Sequence, residues 1–196
     1  MKEINSNEVV TVRSAEDIDK WCLKYGTSRH TFNQPVYIPE DVSCCDRMFA
    51  YCVSFNQTVV IPDNVRTCEF MFASCLRLNK PVILPESVII CDGMFMGCVS
   101  FNQPVVIPNS VCGCVDMFAG CTSLNQYVRL SRKARYCNGM FEDCTSFNQP
   151  IKMPDNVKYC SKMFAGCTSF NQLIKVPDGV KDSTDMFEGC TALQRS

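Results

Sequence analysis

The chain has 196 residues, of which 46% are hydrophobic and 20% are charged, a balance typical of folded globular proteins. Its formal net charge of −1 excludes a strong overall attraction to nucleic acid or to an acidic membrane. No apolar run approaches the roughly 20 residues of a membrane-spanning helix, and the first residues lack the apolar stretch of a signal peptide. We therefore expect a cytoplasmic protein without membrane partners. A cell-surface location is the alternative if a native N-terminal segment precedes this sequence.

Residues 1–31 predict an N-terminal cap made of a short strand and a helix. A strand is expected within residues 8–13. Ser14 then has the character of a helix N-cap, and the acidic residues after it suit the positive end of the helix dipole. An apolar face that includes Trp21 follows at helical spacing, and Gly26 ends the helix. We expect Trp21 to cover the open end of the stacked structure that follows.

From residue 32 to residue 196 the sequence repeats with a period of 23 residues. A complete unit, residues 101–123, has the sequence FNQPVVIPNSVCGCVDMFAGCTS. A phenylalanine or leucine opens each unit, at Phe32, Phe55, Leu78, Phe101, Leu124, Phe147, Phe170 and Leu193. A fixed period of this length is typical of a solenoid, in which every repeat is one coil stacked on its neighbours. We predict a single domain: a mainly β solenoid of about seven coils with short helical turns, over 32–196, and the cap over 1–31.

Each coil divides into a strand, a return segment and a turn. The strand alternates inward and outward residues, as in Val36, Tyr37 and Ile38, and a proline closes it in six coils. We expect the copies of this strand to stack into one parallel sheet. The Met-Phe-x-x-Cys stretch, residues 48–52 in the first coil, has a spacing that predicts a short helical or 3-10 turn.

Sixteen cysteines would ordinarily indicate a disulfide scaffold, but thirteen of them fall on two repeat columns. These are Cys45, Cys68, Cys91, Cys114, Cys137 and Cys160, and Cys52, Cys75, Cys98, Cys121, Cys144, Cys167 and Cys190. Such columns predict two inward stacks of reduced thiols that pack as small apolar side chains. Disulfides between neighbouring coils would need only modest strain. Because the Cys-x6-Cys spacing is wide and His30 precedes the coils, we predict no metal and no cofactor. A Cu(I) site of stacked Cys and Met is a less favoured alternative.

An asparagine follows the opening residue in all seven complete coils, at Asn33, Asn56, Asn79, Asn102, Asn125, Asn148 and Asn171. A polar residue held at one corner of every coil predicts hydrogen bonds between its side chain and the backbone. Glutamine follows in six coils, with Lys80 as the exception, and extends the same column. A polar recognition stripe is the alternative interpretation.

These motifs resemble a known class of repeat. The pattern Val-x-Ile-Pro-x-x-Val with a later Phe-x-x-Cys-x-x-Leu/Phe is similar to the BspA-type (Treponema-type) leucine-rich repeat. The Val-x-x-Cys-x-x-Met-Phe-x-x-Cys portion resembles the related Met-Phe repeat of bacterial surface proteins, with Cys where that repeat often has Met. The resemblance covers residues 32–196. It implies a right-handed leucine-rich-repeat solenoid that binds proteins or mediates adhesion, without catalytic residues.

The middle residue of each strand is expected to point outward, and it changes from apolar to basic along the chain. The column consists of Tyr37, Val60, Ile83, Val106, Arg129, Lys152 and Lys175. Further basic residues lie nearby, mostly in an irregular fifth coil: Arg132, Lys133, Arg135 and Lys158. Contiguous exposed apolar surface indicates a contact. We therefore predict a bipartite surface that binds an acidic-rimmed protein partner. Alternatively, the column is solvated and binds nothing, because β-branched residues suit strands on any face.

An enzyme is not expected, because the coils contain no histidine base and no Gly-rich phosphate loop. The alternative from another class is a structural or self-assembling component, of a viral, scaffold or adhesin type. It would form homo-oligomers through an uncapped C-terminal edge or through the apolar part of the outward column. Nucleic-acid binding by the basic residues is less favoured, because exposed aromatic residues do not alternate with them.

Overall fold

The structure is a computed structural model that describes residues 5–194. The first four residues of the expected cap and the last two of the expected solenoid therefore lie outside it. In chain order the elements are β1 (Val10–Thr11), α1 (Ala15–Tyr25), a 3-10 turn (Arg29–Thr31), β2 (Val36–Tyr37), β3 (Val105–Val106) and β4 (Val128–Arg129). Turns and extended segments that recur in every coil make up most of the remaining chain.

The strand and helix of the cap form as the sequence predicts. The Asp17 carboxylate accepts the backbone N–H of Ser14 at 3.2 Å, which supports the first turn of α1. Gly26 ends the helix in the left-handed conformation, with φ of 65°. Trp21 packs edge-on against Phe32 with ring centres 5.3 Å apart, so the cap covers the first coil. β1 also pairs in parallel with β2, which extends the stack into the cap.

The coils stack into a repeat solenoid through one column of parallel backbone bridges. The column joins Cys44, Thr67, Ile90, Gly113, Tyr136, Tyr159 and Asp182, each to the next. Around it, N–H groups of one coil donate to carbonyl groups of the following coil. Between the first two coils the bonds run from Cys45 to Thr67, Arg47 to Glu69, Phe49 to Met71 and Tyr51 to Ala73, at 2.7 to 2.9 Å. Every coil is thus hydrogen-bonded to its neighbour along this side.

The prediction of one parallel sheet through the copies of Val36, Tyr37 and Ile38 is wrong. Over residues 5–194 this column forms only two two-stranded sheets, β1 with β2 and β3 with β4. The continuous hydrogen bonding lies instead in the bridge column on another side of the coil. A proline closes the strand segment in six coils and removes a donor that would extend a ladder. In each of the two sheets one strand lacks that proline. β1 lies in the cap, and after β4 the position of the proline is occupied by Ser131.

The Met-Phe-x-x-Cys stretch forms consecutive hydrogen-bonded turns, whereas a single short helical or 3-10 turn was predicted. Hydrogen bonds span three residues from Met48 to Cys45, Ala50 to Arg47 and Cys52 to Phe49. Arg47 and Tyr51 are left-handed, with φ of 54° and 63°, and this interrupts any right-handed helix. The same two positions are left-handed in the other coils, at residues 70, 74, 93, 97, 116, 120, 139, 143, 162, 166, 185 and 189.

The interior consists of columns of identical side chains. Phenylalanines of successive turns stack with ring centres 5.4 to 5.7 Å apart, from Phe49 through Phe72, Phe95, Phe118, Phe141 and Phe164 to Phe187. The two predicted cysteine columns lie beside them and are buried, except for the half-buried Cys190. All sixteen cysteines are free thiols. The prediction that these columns pack inward is therefore confirmed.

Candidate functional site

The outward column begins with four apolar side chains on the surface. Val60 and Ile83 are 77% and 82% exposed, and Tyr37 and Val106 are each 50% exposed. Their neighbours along the strand segment point inward, as Val59 does at 5% exposure. The strand segments therefore present an apolar strip, which we define as Tyr37, Val60, Ile83 and Val106.

The basic part of the column continues this strip toward the C-terminus. Its members Arg129, Lys152 and Lys175 are exposed, as are Arg132, Lys133 and Arg135. Lys158 is half-buried, and its ammonium group donates to the carbonyl of Gly179 at 3.1 Å. Among residues 5–194 the cations that form ion pairs are those of the cap: Arg13, Lys20, Lys24 and Arg29. Within the described residues, Arg129, Lys152 and Lys175 therefore have no carboxylate close enough for an ion pair.

A cleft of about 710 Å³ opens between the fifth and sixth coils, within the basic part of the column. One wall is formed by residues 127–130 and the other by residues 150–153. The cleft is also lined by Val128, Leu130, Ile151 and Met153, whose side chains are buried, with exposed fractions of 2% to 7%. The rim carries Arg129, Lys152, Arg132 and Asp155. Sequence reasoning missed this cleft, because the repeat pattern does not show how far apart two neighbouring coils lie.

Two asparagines close one end of the cleft around the backbone of Arg132. The side-chain oxygen of Asn109 accepts the Arg132 N–H at 3.1 Å. The side-chain amide of Asn156 donates to the Arg132 carbonyl at 2.8 Å. The turn that carries Arg132 is therefore tied to both neighbouring coils, and its charge is presented from a fixed backbone.

The two edges of β4 differ. On one edge the N–H groups of Val105 and Ile107 donate to the carbonyls of Tyr127 and Arg129, at 3.1 and 2.9 Å. On the other edge, no backbone hydrogen bond within the described chain joins residues 127–130 to residues 150–153. Successive backbone groups of a strand point to opposite neighbours. The groups of Val128 and Leu130 consequently face the cleft.

A second surface, along the bridge column, is acidic. The carboxylates of Asp46 and Asp92 accept the N–H groups of Glu69 and Val115 in the following coil, both at 2.8 Å. Burial, together with the negative charges of Asp46 and Asp92, raises the pKa of Glu69. Burial also raises the pKa of Asp92 and of Asp116. The carboxylates of Asp46 and Asp92 therefore connect one coil to the next. No cluster of three or more His, Cys, Asp or Glu residues with the geometry to hold a metal occurs within residues 5–194.

The buried thiols donate hydrogen bonds to backbone carbonyl groups of a neighbouring coil. The Cys98 thiol donates to the carbonyl of Phe72 at 3.0 Å, and the same bond recurs from Cys75 to Phe49 and from Cys121 to Phe95. Burial raises the pKa of Cys98 to about 12. Since the thiolate is the nucleophile and the metal ligand, these side chains are unreactive at neutral pH.

The asparagine column forms the predicted hydrogen bonds between side chain and backbone. Each asparagine side chain accepts the N–H of the asparagine in the next coil, at 2.9 to 3.0 Å, from Asn33 to Asn171. Several glutamines extend the column, as Gln103 does by donating to the Asn79 side chain at 3.0 Å. The column therefore holds neighbouring coils in register.

The sequence matches one family model twice. That family is described as "Mycoplasma protein of unknown function, DUF285", and it matches residues 27–129 and residues 93–196. The matches overlap, as expected for an array of similar repeats, and together they run from residue 27 to residue 196. Among curated proteins no sequence matches. None of the helices in the described part of the chain has the length and apolar character needed to cross a bilayer.

Solved bacterial leucine-rich-repeat proteins share the fold. The chain is similar to the Treponema pallidum leucine-rich-repeat protein, with 24% identity and a TM-score of 0.51 over 81% of this chain and 64% of that one. A Bacteroides ovatus leucine-rich-repeat protein has 19% sequence identity and a TM-score of 0.51, over 81% of this chain and 53% of that one. A Eubacterium ventriosum leucine-rich-repeat protein has 14% identity and a TM-score of 0.55, over 82% of this chain and 54% of that one. The chain thus spans between half and two thirds of the length of these proteins. The expected resemblance to BspA-type leucine-rich repeats is confirmed.

Proposed function

The chain belongs to this Mycoplasma family, and from that premise we propose that it is a non-catalytic module that binds a protein partner through the outward column of its coils. The fold of its structural neighbours supports a repeat protein-interaction module in general terms. The contact surface consists of the apolar strip and, beyond it, Arg129, Lys152 and Lys175.

The observation that carries the proposal is the exposure of Val60 and Ile83, at 77% and 82%. The stack itself does not need apolar side chains there, since the basic column occupies the same position in later coils. Contiguous exposed apolar side chains on consecutive coils indicate a contact surface. The basic residues next to the strip favour a partner whose rim is acidic, because complementary charge accelerates encounter and selects partners.

The test compares two double variants of the same charge in the same two coils. Val60→Glu/Ile83→Glu changes the strip, and Leu76→Glu/Val99→Glu changes apolar side chains that are 37% and 38% exposed elsewhere on those coils. Both variants are first checked for folding by circular dichroism. Each is then used to capture proteins from an extract of the source organism. A captured protein is purified, and its affinity for each variant is measured by calorimetry.

We expect the partner to bind the wild type and the Leu76→Glu/Val99→Glu variant, and to bind the strip variant at least about tenfold more weakly. Equal affinity for all three proteins would remove the strip from the proposed surface. Sedimentation of the wild type over a range of concentrations tests the structural alternative. A mass that increases with concentration, and does not increase for the strip variant, would replace partner binding with self-assembly.

A further inference from the structure

We propose that the fifth to seventh coils carry a second binding surface, which takes single-stranded nucleic acid. We call it the tyrosine-basic surface and define it as Arg135, Tyr136, Lys158, Tyr159 and Lys181. It shares no residue with the apolar strip or with the basic residues of the proposed contact surface. The inference therefore goes beyond the proposed function and does not depend on it.

Two tyrosines of the bridge column form a stacked pair at the surface. The rings of Tyr136 and Tyr159 are parallel to within 3°, and their centres are 5.5 Å apart. Tyr136 is 44% exposed and Tyr159 is half-buried. Exposed aromatic rings are stacking platforms for the bases of single-stranded nucleic acids, because every base has a π-face.

A glycine leaves one face of this pair without a neighbouring side chain in its column. Tyr159 stacks on one side of Tyr136, and the residue on the other side in the bridge column is Gly113. The atoms nearest to the position of a Cβ on Gly113 belong to Asp92, at 3.0 to 3.6 Å, and not to Tyr136. The column therefore provides no side chain that stacks on this face of Tyr136, and a base can stack there instead.

A column of cations runs beside the tyrosines. Arg135 and Lys158 directly precede Tyr136 and Tyr159, and Lys181 has the same position in the seventh coil. Stacked strands lie about 4.8 Å apart, so this column offers one cation at each step of roughly that length. None of the three forms an ion pair within residues 5–194. A positive track beside aromatic rings is the arrangement that follows a single-stranded phosphate backbone. Aromatic residues thus do lie beside cations here, which removes the reason given above against nucleic acid.

Two carboxylates adjoin the tyrosine-basic surface, and both already accept backbone hydrogen bonds. Asp92 accepts the N–H of Val115 at 2.8 Å, and Asp182, which follows Tyr159 in the bridge column, accepts the N–H of Thr184 at 2.9 Å. An acidic peptide would use the cations of this surface alone. A nucleotide uses both the cations and the open ring face, so the two features together favour nucleic acid.

The experiment measures binding of a fluorescein-labelled oligothymidylate of about twelve nucleotides by fluorescence anisotropy, between about 50 and 200 mM NaCl. Three variants test the stacking. Gly113→Ile covers the open face of Tyr136 with the side chain that Ile90 has in the preceding coil, and Tyr136→Leu removes the ring. Tyr136→Phe is the matched control that keeps it. Folding of each variant is checked by circular dichroism.

Two further variants test the charge. Arg135→Ala/Lys181→Ala removes two cations of the surface. Arg66→Ala/Lys80→Ala removes two exposed cations from earlier coils and is the control of equal charge. Lys158 is left unchanged, because its ammonium group also bonds to a carbonyl of the seventh coil.

We expect Gly113→Ile and Tyr136→Leu each to weaken binding about tenfold without changing its salt dependence, and Tyr136→Phe to bind as the wild type does. Arg135→Ala/Lys181→Ala should lower the slope of log affinity against log salt by about 1.4, because each phosphate contact on a single strand contributes about 0.7. The Arg66→Ala/Lys80→Ala control should keep the wild-type slope.

The proposal is overturned if the wild type does not bind the oligonucleotide at about 50 mM NaCl, or if Tyr136→Leu binds it as tightly as Tyr136→Phe. It is also overturned if the two charge variants have the same slope. A peptide of about twelve glutamates that binds the wild type more tightly than the oligonucleotide, with no loss in Tyr136→Leu, would assign the surface to an acidic protein instead. The Val60→Glu/Ile83→Glu variant should bind the oligonucleotide normally, so loss of its protein partner and loss of nucleic-acid binding are separate results.

Discussion

The backbone N–H of Asn125 donates to the side-chain oxygen of Asn102 in the preceding coil at 2.9 Å. The Asn102 side chain therefore serves the next coil rather than its own turn. The same relation repeats up the stack, so each asparagine both donates and accepts along one line. A coil that loses this side chain leaves one backbone donor of its neighbour without a protein partner.

We predict that Asn102→Ala lowers the free energy of unfolding by about 1 kcal/mol, the net value of one such hydrogen bond. Asn102→Asp is the matched control, because it keeps an acceptor of the same size in the same place. Urea denaturation at pH 7 measures both variants. If the Asp variant loses as much stability as the Ala variant, the acceptor at this position is not what stabilises the stack.

The left-handed turns give a second prediction. Gly120 has φ of 73°, and a Cβ at this position would meet no atom closer than 3.5 Å. Gly120→Ala therefore introduces backbone strain without a clash, and we expect it to lower the free energy of unfolding by about 1 kcal/mol. Tyr51 occupies the equivalent position of the first coil with φ of 63°. Tyr51→Gly is expected to be neutral or stabilising despite the loss of an exposed ring.

Thermal and urea denaturation of both variants test this account of the turn. A neutral Gly120→Ala variant, or a Tyr51→Gly variant that loses as much as Gly120→Ala, would show that the left-handed conformation contributes no strain at these positions.

The buried thiols predict a loss of stability at alkaline pH. Burial raises the pKa of Cys98 from an ordinary value of 9.0 to about 12, and the same cause raises the pKa of Cys52 and Cys167 to about 12. Above pH 9 these thiols ionise in the unfolded chain but keep their protons in the folded one. The unfolded state then binds fewer protons, so the free energy of unfolding falls as pH rises. Each such thiol contributes a loss of about 1.4 kcal/mol per pH unit between the two pKa values.

Cys98→Ala is expected to reduce this dependence on pH by the contribution of one thiol, although it also loses packing at pH 7. Val88→Ala is the control, because it removes buried apolar volume from the same coil without removing a titrating group. Its stability should stay below that of the wild type by a constant amount at every pH. Urea denaturation at about pH 8, 9 and 10 measures the slopes. Identical slopes for Cys98→Ala and wild type would contradict the prediction.

The sequence predicted those parts of the fold that depend on which way a side chain points. Alternation placed Val105 and Ile107 inside and Val106 outside, and the structure agrees. The 23-residue period likewise predicted the buried cysteine columns and the asparagine column. Both inferences need only the position of a residue within the coil, which is the same in every repeat.

The sequence could not predict which backbone groups pair between coils. The alternation of Val105, Val106 and Ile107 shows which side chains point inward. It does not show the distance to the next coil, so it is compatible with backbone hydrogen bonds between the two coils and with their absence. The left-handed turn was signalled by Gly97 and Gly120 but hidden by Tyr51 and Ser74 at the same position. The cleft depends on the spacing of the fifth and sixth coils, which a repeat pattern does not show.

The attachment of the cap gives the last prediction, and it concerns a residue that the repeat pattern did not single out. The Arg29 guanidinium donates to the carbonyls of Ala15 in α1 and Ala50 in the first coil, at 2.6 and 3.2 Å. It also donates to the Asp19 carboxylate at 2.9 Å. Its side chain is 17% exposed, so these bonds are largely shielded from water. Arg29 thus connects the helix of the cap to the solenoid.

We expect Arg29→Ala to lower the free energy of unfolding by about 2 to 3 kcal/mol, because several charge-assisted bonds are lost together. Arg13→Ala is the control: it removes an ion pair with Asp41 in which the two side chains are 56% and 70% exposed, and it should cost much less than Arg29→Ala. Fluorescence of Trp21, the single tryptophan, reports on the cap, and circular dichroism reports on the coils. In Arg29→Ala the fluorescence transition should precede the dichroism transition during heating, since the end of a solenoid unfolds first when its cap is loosened. Equal losses for the two variants, with coincident transitions, would show that Arg29 does not hold the cap.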